Sequence, residues 1–80
     1  MHRYNVTILW TRQAANNIET LPEPLRPDNF DVETRTSTFY GLELCEWHKS
    51  GLLLSLHRTD GEEVMILRES IELVSSMLED

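Results

Sequence analysis

From His2 to Trp10 the chain alternates, with Tyr4, Val6, Ile8 and Trp10 on one side and Asn5, Thr7 and Leu9 on the other. A period of two in β-branched and aromatic residues predicts a strand. Gln13 to Ile18 then reads as a short helix with Thr11 as its N-cap. Pro22, Pro24 and Pro27 remove three backbone donors in quick succession, so residues 19–29 read as a surface connection. Phe30, Val32, Thr34, Thr36 and Thr38 alternate with Asp31, Glu33, Arg35 and Ser37, which predicts a second strand with one polar face. Further strands are expected at Leu42–His48, Leu52–Arg58 and Glu62–Leu67.

Turn chemistry suggests how these strands pair. Asp60-Gly61 is a strong two-residue hairpin signal, because both positions of that turn need positive φ; Lys49-Ser50-Gly51 is a weaker one. A two-residue loop at Asp60-Gly61 sets Leu56 opposite Met65 and Leu54 opposite Leu67. A two-residue loop at Lys49-Ser50 sets Trp47 opposite Leu52 and Cys45 opposite Leu54. One face then carries Cys45, Trp47, Leu52, Leu54, Leu56, Met65 and Leu67. The opposite face mixes Leu42, Leu44, Leu53, Val64 and Ile66 with Glu46, His48, Ser55, His57 and Arg68. Coverage of this mixed face by the N-terminal strand is expected; left open, it would be an interaction surface.

After the last strand the period changes. Leu67, Ile71, Val74 and Leu78 recur at helical spacing, flanked by Leu73 and Met77, which predicts a helix over about Glu69–Leu78. Glu69 and Glu72 would stand in its first turn, and Glu79 and Asp80 at its end. The expected architecture is a single small α+β domain: an antiparallel sheet of four to five strands in a β-meander, with the C-terminal helix packed on one face.

Composition limits the function classes. Eighty residues make one domain at most, with a core too small to supply much stability alone. The single Cys45 excludes an internal disulfide framework, so a reducing cytoplasmic setting is expected. The chain starts without a basic then apolar leader, and its apolar runs are far too short to cross a bilayer.

Charge is unevenly placed. Residues 1–27 balance at +1 and residues 28–80 at −8, for a formal net charge of −7. Such a field disfavours phosphate backbones and acidic membranes and favours a basic protein surface, so neither nucleic acid nor membrane is an expected partner.

Candidate chemistry is sparse. Paired cysteines or histidines one helical turn apart do not occur, so neither a metal nor another cofactor is expected. Ser55 and His57 share a face but lack an obvious orienting acid, so the chain does not read as an enzyme. Cys45 reads as a buried small hydrophobe. Pro24-Leu25-Arg26-Pro27 matches a minimal PxxP pattern, which in a short loop reads as a stiff connection.

The expected function is that of a small acidic protein–protein interaction module. Its sharpest form is an inhibitor or regulator of a nucleic-acid-handling complex, of the anti-defence type that phages and mobile elements encode, such as a CRISPR inhibitor. The alternatives are a homo-oligomeric accessory or structural subunit, including a homodimer, and an immunity or antitoxin protein that neutralises a basic toxin. The residues expected to meet a partner are Glu46, His57, Asp60, Glu62, Glu63, Glu69 and Glu72, together with Leu44, Leu53 and Ile66.

Overall fold

The computed structural model describes residues 2–79, so the expectation for Asp80 lies outside the described residues. The chain forms β1 (Arg3–Trp10), α1 (Arg12–Glu19), β2 (Thr36–Leu42), β3 (Leu44–Trp47), β4 (Leu53–His57), β5 (Glu63–Leu67) and β6 (Ile71–Glu79). The strands make two antiparallel sheets of three, ordered β2-β1-β6 and β3-β4-β5.

The second sheet is one nearly continuous stretch of chain, and at each end it runs almost without a break into a strand of the first. Only Glu43 separates β2 from β3, and its N–H already bonds the His57 carbonyl of the second sheet at 2.8 Å. A single 3-10 turn, Arg68–Ser70, separates β5 from β6. Its first N–H donates to the carbonyl of Leu52, in the loop just before β4, at 2.9 Å, and its last carbonyl accepts from Thr11 at the end of β1 at 3.0 Å. Each of these corners hands the chain from one sheet to the other. The inner faces close on one core: Val6, Ile8, Trp10, Phe39 and Leu42 from the first sheet, and Leu54, Leu56 and Ile66 from the second.

The helix forms where expected. Thr11 Oγ1 accepts the Ala14 N–H at 3.1 Å, and Ala15 and Ile18 are buried against the core. Arg26 then folds back, donating to the Glu19 and Leu21 carbonyls at 2.9 and 3.0 Å and closing off the helix end.

The C-terminal segment corrects the expected architecture: Ile71–Glu79 is a strand, not a helix packed on a meander. The run Ile-Glu-Leu-Val-Ser-Ser-Met-Leu-Glu fits both periods, and β-branched Ile71 and Val74 with Ser75 and Ser76 are poor helix formers. Pairing decides the outcome. β1 has two edges, and β6 takes the one that β2 leaves free, from Arg3↔Glu79 to Trp10↔Ile71. Backbone bonding along a whole strand overrides the weak local preference.

The second strand also moves. Asp31 Oδ1 accepts the N–H groups of Glu33 at 2.9 Å and Thr34 at 3.4 Å, and Arg35 has φ +58°. This local turn consumes residues 31–35, and the strand begins at Thr36. It then carries Ser37, Phe39 and Leu42 inward, with a bulge opposite Asn5 at which the Gly41 N–H (φ +64°) bonds Asn5 Oδ1 at 3.1 Å.

The β4–β5 register is one residue away from expectation. The loop has three residues, Thr59, Asp60 and Gly61, because Arg58 N bonds Glu62 O at 2.8 Å and Gly61 takes φ +91°. A glycine at the third position makes the bulged hairpin turn. Leu54 therefore faces Ile66 and Leu56 faces Val64, while Met65 and Leu67 turn outward. The β3–β4 loop is longer than expected by two residues, Lys49–Leu52, with His48 N bonding Leu53 O at 2.8 Å. A shift of two leaves the faces unchanged, so Cys45 still shares the inner face with Leu54 and Leu56.

Candidate interaction surface

The outer face of the second sheet is open. The N-terminal strand, expected to cover it, lies in the other sheet and packs against the opposite, inner face. On the outer face, β3 contributes Leu44 and Glu46, β4 contributes Leu53, Ser55 and His57, and β5 contributes Glu63, Met65 and Leu67. Leu44 is 41 % exposed, Met65 48 % and Leu67 51 %; Leu53 is half-buried, and the small Ser55 is buried among its neighbours. The register change produces this surface, since it exchanges Val64 and Ile66 for Met65 and Leu67. Ile66, expected to meet a partner, is instead 7 % exposed in the core.

Charge runs diagonally across this face, between Leu44 and the Leu53, Met65 and Leu67 strip. His57 lies between two carboxylates, with Nε2 3.6 Å from Glu46 Oε1 and Nδ1 3.9 Å from Glu63 Oε2. Both separations exceed a direct hydrogen bond, and Nε2 is buried without a partner. The pairing explains the grouping: His57 sits opposite both Leu44 and Glu63, and Glu46 is its diagonal neighbour across Ser55. His48, by contrast, stands at the far end of β3, where its Nδ1 is 3.3 Å from Ser50 Oγ. Among the described residues no three His, Cys, Asp or Glu side chains come together in a metal-binding arrangement.

The remaining acidic candidates do not join this surface as one field. Asp60 and Glu62 lie at the β4–β5 turn, beside Arg58. The Arg58 guanidinium grips Asp28 through two bonds of 3.0 and 3.1 Å. That bond, reinforced by the charges of Asp28, Glu62 and Asp60, holds Arg58 even more firmly protonated than usual, against the opposing effect of burial. Glu69 lies in the Arg68–Ser70 turn beside α1, lining a polar depression with Thr11, Gln13 and Asn17. Glu72 lies at the start of β6 and pairs with Arg35 at 3.3 Å. Of the seven polar candidates, Glu46, His57 and Glu63 are the ones that share the outer face with Leu44, Met65 and Leu67.

Two further features escape sequence reasoning. Trp47 is 44 % exposed at the end of β3, with the Arg68 guanidinium 5.1 Å from its ring centre. A groove of about 520 Å³ runs between β5 and α1, lined by Trp10, Ile18, Leu21, Phe39 and Ile66 with the Arg58–Asp28 pair beside them. The proline-containing loop folds back to make one wall of it, through Leu25 and Pro27. A groove built by a loop without periodicity leaves no pattern to read.

Cys45 is half-buried beside the core, and burial, helped by the charge of Glu46, pushes its thiol pKa up. That is the opposite of nucleophilic activation. Among the described residues no helix is long and apolar enough to cross a membrane. Comparison with protein-family models, curated proteins and solved structures finds no match to this chain.

Proposed function

We propose that this chain is a protein–protein interaction module that docks a partner on the outer face of its second sheet. The observation that carries this reading is the outer face itself, where Leu53, Met65 and Leu67 form an apolar strip beside the Glu46–His57–Glu63 group, with exposed Leu44 at the opposite corner. Leucine and methionine side chains on a paired strand framework supply a desolvating centre, and methionine adapts to an irregular partner. The adjoining carboxylates, within a chain of net charge −7, steer a partner whose surface sets apolar groups beside basic ones. Proteins that grip nucleic acid have basic grooves of this kind. Occupying one, as an inhibitor or regulator of a nucleic-acid-handling complex, is the specific form of the proposal. The role is binding rather than catalysis, in a reducing cytoplasm that suits the lone Cys45.

The test is affinity capture from the native host with the full chain, repeated with a Leu44→Asp/Leu67→Asp variant. Both side chains are exposed, so circular dichroism of the variant should match the native chain. The reading expects a basic partner that the variant loses and that added salt weakens. A partner retained equally by the variant contradicts it.

A further inference from the structure

We infer that β6 pairs edge to edge with β6 of a second copy of this chain, about a two-fold axis at Ser75, to make a continuous six-stranded sheet. β6 belongs to the other sheet, so this dimer stands independently of the docking face proposed above. The strand is nine residues long and, among the described residues, pairs only with β1, so that its second edge has no strand against it. Edge strands are usually guarded by proline, lysine, a bulge or a short length; β6 has no proline or lysine, and its bulge and its glutamates Glu72 and Glu79 lie toward its two ends, which leaves Leu73–Leu78 unguarded. Its outward side chains Leu73 and Met77 are 61 % and 69 % exposed.

The sequence of β6 selects the partner and the register. In a two-fold antiparallel pair, directly opposed residues must point to the same face, so the axis passes through a residue and never between two. An axis at Ser75 sets Leu73 against Met77 of the second copy, Met77 against its Leu73, and Val74 against its Ser76. Four exposed apolar side chains then share one face. The same register sets Glu72 opposite Leu78, so no carboxylate meets another across the axis. An axis at Ser76 would set Leu73 against Glu79, and one at Val74 would set Leu73 against Ser75; both lose the apolar match. Of the strand's two described carboxylates, Glu72 is already paired with Arg35 at 3.3 Å, which lowers the repulsion between copies.

Two chains of net charge −7 still repel, so added salt should tighten this dimer. A basic partner on the second sheet would respond in the opposite way.

Sedimentation of the full chain over a range of protein and salt concentrations is the first test. A monomer–dimer equilibrium that shifts to dimer with both is expected. Leu73→Lys/Met77→Lys, which alters only exposed side chains, should raise the dissociation constant at least tenfold. The register is read by crosslinking in a Cys45→Ala background. Opposed α-carbons stand about 4.5–5.5 Å apart, within disulfide reach, so Ser75→Cys should oxidise to a covalent dimer. Leu73→Cys should not link to itself, since its copies would lie on the order of 13 Å apart along the strands. A monomer at every concentration, a dimer untouched by the double lysine variant, or equal crosslinking at positions 73 and 75 overturns the inference.

Discussion

Trp10 donates its indole N–H to Ser37 Oγ at 3.0 Å, and both residues are buried, Ser37 completely. This bond ties β1 to β2 inside the core and satisfies the one polar atom of the indole. Replacing Ser37 by Ala would leave that N–H buried and unpaired, a loss of about 1–3 kcal/mol. For a domain of this size that is a large part of the total stability. Urea unfolding of Ser37→Ala should show a lower midpoint with an unchanged slope.

The β4–β5 register sets a sharp contrast between adjacent residues. Ile66 is in the core and Met65 faces outward. Ile66→Ala should destabilise by about 2–5 kcal/mol, enough to unfold much of the population, whereas Met65→Ala should stay within about 1 kcal/mol. Thermal unfolding of the two variants measures this directly. The reverse order would restore the two-residue turn.

The elements easiest to read in the sequence were those whose period and end signals agree. β1 and α1 stand within a residue or two of expectation, because alternation and the Thr11 cap each act locally. The hairpin strands β4 and β5 are likewise where the alternation places them, while β3 starts two residues late because Leu42 ends β2 opposite Tyr4; Asp60-Gly61, however, cannot distinguish a two-residue turn from a three-residue one. That single residue decides whether Ile66 or Met65 faces outward. At β6 the apolar spacing satisfies both helix and strand, and the free edge of β1 sixty residues earlier settles it. At residues 31–35 the alternation of threonines is real, yet the Asp31 side chain captures the backbone before a strand can start. Of the candidate site, Leu44, Leu53, Glu46 and His57 share a face as strand alternation requires, whereas Glu63 joins them only through the shifted β4–β5 register. The scatter of Glu69 and Glu72 follows from the missing helix.

Cys45 makes stability sensitive to alkali. Its thiol pKa is raised in the folded chain, chiefly by burial, from an ordinary value of 9.0. The unfolded chain loses this proton first as pH rises. The contribution is therefore fully present below about pH 9 and is lost as pH climbs through the folded value. Urea midpoints should fall more steeply above pH 9 for the native chain than for Cys45→Ala. Iodoacetamide should label the folded thiol more slowly than a free cysteine at the same pH.

Charge on the outer face of the second sheet should govern association more than complex lifetime. Reversing both carboxylates, Glu46→Lys with Glu63→Lys, should slow binding to a basic partner by about tenfold or more at low salt. Stopped-flow association should show that difference shrinking as salt is added, with dissociation changed much less.

The docking proposal is tested most directly by amide hydrogen exchange of the full chain, free and bound to its captured partner. Protection on binding should concentrate in β3, β4 and β5, across residues 44–47, 53–57 and 63–67. Protection confined to β6, or to α1 and the proline-containing loop, would contradict the assignment of the second sheet's outer face as the docking surface.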